Sequence, residues 1–322
     1  MNYEKQELKL KEVCRDLLQR GQVVLVIGFT DADDGMYFST PFFMRSPDDV
    51  STLRWDDSCS PNLAKYVLGK KGRIAVIAKP CDSRALSVYV KENQIPRDNL
   101  YIIGLECHGI KDEKGNKLPG CKECKVLTPP LFDVLIGSEN LVQEDPYSNK
   151  IDKKISEISE ISELSEIIEQ IHKPDIPTSK ELKARLKKEL SKCIMCFSCR
   201  QICYGCYCDT CFIDRNIPAW SPSSVDLNTK LFFHLGRAMH LAGRCVECGA
   251  CQRGCPSGVD VRYLISGITD FCEDLYNTKA GMDLEEVCAL QTFNTTDREI
   301  GFLGGESSAD SGNEDRICCN EK

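Results

Sequence analysis

The chain has 322 residues, 42% of them apolar by type, enough for two globular domains with ordinary cores. A formal net charge of −8 argues against broad nucleic-acid binding, because phosphate contacts need a basic surface. The 21 cysteines sit in a long chain that opens on a polar amphipathic helix rather than a secretory leader. They therefore read as metal ligands in a reducing, cytoplasmic setting and not as a disulfide framework.

Residues 3–20 carry Leu10, Val13, Cys14, Leu17 and Leu18 on one helical face, and Gly21 stops the helix. A β-rich run, Val23 to Ile27, follows. Two further buried-strand signals, Ile74 to Ala78 and Leu100 to Ile103, flank a helix-length segment from Ser83 to Glu92, and a last strand is expected over Asp133 to Gly137. This alternation predicts an α/β domain with partly parallel strands over residues 1–147. Residues 148–178 space isoleucines and Leu164 mostly by three among Ser and Glu. A three-residue step drifts about 60° per repeat around a helix, so the segment reads as a solvated linker helix, ended by Pro174 and Pro177. Residues 179–294 read as mainly α-helical. They begin with a helix at Thr178 or Ser179 whose Leu182, Leu186 and Leu190 form a seam, and include a second helix from Asp226 to Gly243 and a third from Ser266 to about Asn277. The tail, 295–322, is rich in Gly, Ser, Asp and Glu and reads as mobile. Nowhere does an apolar stretch approach the ~20 residues a membrane span needs.

In the helical region a pair of cysteine runs shares one spacing. The first is Cys193-x-x-Cys196-x-x-Cys199-x-x-x-Cys203; the second is Cys245-x-x-Cys248-x-x-Cys251-x-x-x-Cys255, followed by Pro256. Three thiolates two residues apart can wrap one iron–sulfur cube, and the fourth points to the other cube of a pair. Two 4Fe-4S clusters are expected: one on Cys193, Cys196, Cys199 and Cys255, the other on Cys245, Cys248, Cys251 and Cys203. Structural zinc, bound four ligands per ion through pairs of cysteines, fits two identical four-member runs poorly. Some 41 residues (204–244) separate the runs, which favours a helical dicluster ferredoxin over the compact bacterial form. Arg200, Arg244 and Arg253 lie beside the ligands, placed either to offset cluster charge or to make surface ion pairs. Three more thiols, Cys206, Cys208 and Cys211, could serve a further metal, replace Cys203 or simply be buried, the last being favoured.

A third set lies in the α/β domain: Cys81 after one strand, Cys107 after the next, then Cys121 and Cys124. Strand ends of α/β sheets converge, so these four could hold a third 4Fe-4S cluster, against zinc or two unrelated pairs. His108, beside Cys107, could tune such a site or sit exposed on a loop. The histidines fall in no triad or metal spacing, and no phosphate-binding loop is visible, so acid–base and nucleophilic catalysis find little support.

The order Val76-Ile-Ala-Lys-Pro-Cys81-Asp-Ser-Arg-Ala-Leu86, Ile103-Gly-Leu-Glu-Cys107-His-Gly109, Cys121-Lys-Glu-Cys124 and Asp133-Val-Leu-Ile-Gly137 resembles the beta subunits of deazaflavin-reducing hydrogenases and formate dehydrogenases. The resemblance implies a 4Fe-4S cluster at the four cysteines, and FAD. Residues 193–262 are similar instead to the small cluster-bearing subunit of heterodisulfide reductase and related helical ferredoxins. Together they imply an iron–sulfur electron-transfer subunit of a cytoplasmic anaerobic redox complex. Its partners would be a dehydrogenase or hydrogenase subunit on one side and a flavin-bearing or heterodisulfide-reductase-like protein on the other. The alternative is an FAD-containing oxidoreductase subunit that exchanges a hydride with a soluble coenzyme such as a deazaflavin.

Overall fold

The computed structural model describes residues 3–32, 36–137, 141–142, 179–215, 217, 219 and 224–286. The expected linker helix over 148–178 and the tail over 295–322 lie outside them. The N-terminal region is α/β and the C-terminal region helical. Helix α1 (Tyr3–Gln19) buries Leu10, Cys14 and Leu17 one and two turns apart. Gly21, at φ 62°, then turns the chain into the sheet.

Six strands follow: β1 (Leu25–Thr30), β2 (Thr40–Met44), β3 (Ile74–Ala78), β4 (Leu100–Leu105), β5 (Val134–Ile136) and β6 (Leu141–Val142). They lie in the order β2-β1-β3-β4-β5-β6. The four central strands are parallel, with Leu25 beside Ile74, Ile74 beside Leu100 and Ile103 beside Val134. Both edges are antiparallel, and neither was expected. Pro41 in β2 lacks an amide proton, which weakens the strand signal yet suits an edge. All five residues of β3 are buried, as a strand covered on both faces requires.

Helix α2 (Pro80–Lys91) starts three residues earlier than expected. Pro80 presets its first turn and Asp82 accepts from the Lys79 amide at 2.9 Å. The same carboxylate accepts from the Leu63 amide at 2.9 Å and pairs with the buried Lys79 ammonium at 2.9 Å.

A short helix, α3 (Pro119–Glu123), lies between β4 and β5, and the helical region holds α4 (Ser179–Lys192), α6 (Leu227–His240) and α8 (Val261–Tyr276) with the short α5 (Ser198–Gln201) and α7 (Ala250–Arg253). Asp226 caps α6 by accepting from the Thr229 amide at 2.8 Å, and Asp260 caps α8 by accepting from the Tyr263 amide at 3.2 Å. That cap starts α8 five residues before the expected Ser266. The leucine seam of α4 is buried only at its end: Leu190 is buried while Leu182 is exposed. Two cores result. The larger packs α1 and α2 on the sheet; the smaller joins Phe233, Ala238, Leu241, Val259, Val261 and Ile265 to the thiols of Cys199 and Cys203.

A polar clamp fixes one region against the other. Arg244, the residue before Cys245, forks onto the Glu92 carboxylate at the end of α2, its Nη2 lying 2.8 Å from Oε2. Tyr207 donates to the same carboxylate at 2.6 Å. The Tyr89 hydroxyl donates to the Tyr204 carbonyl at 2.6 Å, and the Tyr204 hydroxyl in turn to that of Arg244.

Candidate metal centre

The two runs fold alike because the same backbone turns recur in each. Met195 and Phe197 in the first, Glu247 and Gly249 in the second, all have φ between 56° and 70°. A one-turn helix follows each pair, α5 in one run and α7 in the other. The left-handed turns aim an amide at the first sulfur of each run: Met195 N–H lies 3.4 Å from Cys193 Sγ, and Glu247 N–H 3.4 Å from Cys245 Sγ. Three of the four turn residues carry a side chain, and left-handed backbone costs such residues about 1–2 kcal/mol each. Strain of this kind marks functional loops. The residue types did not announce it, since only Gly249 favours that conformation.

The thiols gather in crossed sets. Cys193, Cys196, Cys199 and Cys255 line one niche with Phe197 and His234. Cys245, Cys248 and Cys251 line another together with Cys203 of the first run. The free space is small, about 20 Å³ in the first and about 30 Å³ in the second. An organic coenzyme has no room there. Four cysteine side chains at each niche are the donor set by which iron–sulfur groups are held. Among the described residues no group of three or more His, Cys, Asp or Glu side chains is drawn together closely enough to hold a single metal ion.

Burial raises the Cys251 thiol to about 12 and lifts those of Cys199 and Cys193 as well. Binding of a metal cation to these sulfurs would displace their protons to solvent. Cys203 goes the other way, drawn down by a hydrogen bond from the Cys206 thiol. Two residues of α6 complete the niches. His234 Nε2 lies 3.4 Å from Cys193 Sγ, and its ring is held down to about 4 by burial and by Arg237. Arg237 Nη2 donates to the Cys199 carbonyl at 3.1 Å, while its Nε and Nη1 are buried without a partner. Reading the sequence missed both, because the cysteines they bond lie 41 and 38 residues away.

Of the expected neighbours, Arg200 pairs with Asp214 at 2.6 Å. Arg253 donates to the Cys248 carbonyl and the Ser60 carbonyl, each at 2.8 Å. Arg244 belongs to the clamp. Among the three extra thiols Cys206 adjoins Cys203, whereas Cys208 is exposed, which corrects the favoured reading of buried thiols for that residue.

The α/β thiols converge on a third and larger cavity of about 400 Å³. Cys81 stands in the first turn of α2 after β3, Cys107 follows β4, Cys121 lies on α3 and Cys124 just beyond it. All four line the cavity, and so does Cys248 from the second run. Ligands of parallel sheets bind at these strand ends. Burial lifts Cys107 to about 11 and raises Cys81 as well. His108 lines the cavity while remaining exposed. The wall also carries Arg84, 3% exposed, which donates to the Ala280 carbonyl at 2.9 Å and the Val246 carbonyl at 3.3 Å but leaves Nη2 without a partner. Two buried guanidiniums with unmet donors among thiols suit anionic, sulfur-rich groups.

No family model matches the chain. It is similar to the F420-dependent formate dehydrogenase subunit beta of Methanocaldococcus jannaschii, with 24% identity covering 77% of this chain and 84% of that protein. The F420-dependent formate dehydrogenase 1 subunit beta of Methanococcus maripaludis is 22% identical over 61% of this chain and 70% of its own length. The chain, an α/β sheet with thiols at its strand ends followed by a helical region, is thus similar over most of its length to formate dehydrogenase beta subunits.

Proposed function

We propose that the chain is an electron-transfer subunit of a redox complex and that its three thiol sets bind 4Fe-4S clusters. The sets are Cys193, Cys196, Cys199 and Cys255; Cys245, Cys248, Cys251 and Cys203; and Cys81, Cys107, Cys121 and Cys124. One observation carries the reading: Cys248 lines both its own niche and the α/β cavity. Bound clusters would supply one-electron carriers. The protein's role is to hold them in series, with the second run in the middle and the clamp keeping it against the sheet. Buried Arg84 and Arg237 would offset the negative charge of thiolates and clusters. The partners would be a formate dehydrogenase or hydrogenase subunit at one end and a flavin-bearing or heterodisulfide-reductase-like protein at the other, in the cytoplasm of an anaerobe. Among the described residues no helix is long and apolar enough to cross a membrane.

The 400 Å³ cavity favours a second reading, since it has the size of an organic-cofactor pocket. FAD there would make the chain a hydride-transferring subunit. Iron, zinc, acid-labile sulfide and acid-released flavin, counted on anaerobically purified protein, test both. About twelve irons and no flavin support three clusters in a conduit; about eight confine clusters to the two runs. Stoichiometric flavin moves the second reading ahead, and zinc without sulfide sinks the proposal.

A further inference from the structure

Arg237 is buried to 3% exposure in the last turn of α6, between the two niches. One of its nitrogens donates to the Cys199 carbonyl of the first run, while the side chain lines the niche of Cys203, Cys245, Cys248 and Cys251. Nε and Nη1 have no hydrogen-bond partner, and among the described residues no carboxylate pairs with the guanidinium. A buried, unpaired cation is costly unless negative charge faces it. The groups that face it are thiols, those of Cys251, Cys203, Cys206 and Cys199. Neutral thiols provide no such charge. Thiolates around an iron–sulfur group would.

Resting on the proposal that these thiols hold clusters, we infer that Arg237 is a positioning residue that favours an electron on the centre of the second run over the centre built on Cys193, Cys196, Cys199 and Cys255. Reduction adds one electron, and so one negative charge, to a centre and its thiolates. A fixed cation favours that reduced form, and more strongly at the nearer centre. Arg237 lines the niche of Cys245, Cys248, Cys251 and Cys203, while toward the other centre it bonds the Cys199 carbonyl and does not line the niche. The middle centre is therefore stabilised in its reduced form relative to the outer one.

The test is an anaerobic titration of the whole chain with dithionite and redox mediators, followed by electron paramagnetic resonance. Iron and sulfide are counted on the same samples, and each signal is assigned by its loss in Cys196→Ala or Cys245→Ala. Arg237→Gln is expected to shift the oxidised–reduced equilibrium of the second-run centre at least tenfold toward oxidised, a fall of about 59 mV per tenfold for one electron. The first-run centre should shift less. Arg237→Lys, which keeps the charge, should show under half the shift. Unmoved potentials, or equal shifts at both centres, with iron content intact overturn the inference. If Arg237→Gln loses iron, the Lys variant decides: a small fall at the second-run centre alone supports the assignment, and none refutes it. Wild-type protein without iron and sulfide would instead defeat the cluster proposal itself, a result separate from any of these.

Discussion

Cys203 and Cys255 carry the strongest residue-scale consequence of the crossed niches. Each stands at the end of one run yet lines the niche of the other. Cys203→Ala is therefore expected to remove the centre of Cys245, Cys248 and Cys251 and spare that of Cys193, while Cys255→Ala should do the reverse. Cluster-resolved Mössbauer spectra with iron counts check this, and losses confined to each residue's own run would refute the crossing. Cys14 offers a test away from the niches. Burial in α1 raises its thiol from 9.0 to about 12. The folded state then holds a proton that the unfolded state releases above pH 9, so this contribution is complete below pH 9 and lost as pH rises toward 12. At about pH 10.5 the loss amounts to about 2 kcal/mol. Denaturant midpoints compared at about pH 8 and about pH 10.5 should show that decline in the wild type and a smaller one in Cys14→Ala.

At the scale of elements, α2 ties the sheet to the helical region. Its first turn presents Cys81 to the cavity, and its C-cap Glu92 holds Arg244, one residue before the second run. Glu92→Gln keeps the shape of the side chain but removes the charge facing a guanidinium only 21% exposed. A charge-assisted bond of this kind is worth about 1.5–3 kcal/mol, and urea unfolding should show a loss of that order. Restoration of full stability by a second substitution, Arg244→Leu, would show that the cost comes from the stranded cation. The start of α2 was hidden in the sequence because Lys79 is an unusual N-cap, and the bond that defines the cap comes from Asp82. The edge strands were hidden for a different reason. Parallel strands announce themselves by continuous apolar runs, whereas β2 contains a proline and β6 has two residues.

For the whole molecule, the two cores differ in what they are made of. The larger is aliphatic and aromatic around the sheet; the smaller contains Cys199 and Cys203 and is flanked by Cys193, Cys206, Cys245, Cys251 and Cys255. Stripping iron by oxidation and chelation should therefore loosen the helical region before the sheet, because binding energy at such sites is folding energy. Hydrogen exchange is expected to quicken in Leu227–His240 and Val261–Tyr276 while Ile74–Ala78 keeps its protection; uniform loss would contradict two separable cores. The sequence by itself determined the duplicated cysteine spacing, the α/β alternation and the helical character of the C-terminal region, because ligand reach and side-chain periodicity are properties of neighbouring residues. Only the tertiary structure decided that Cys248 faces two sites and that His234, Arg237 and Arg84 stand among the thiols. Those are meetings between residues tens to hundreds of positions apart, and it is the packing of the two cores against the Glu92–Arg244 clamp that brings them together.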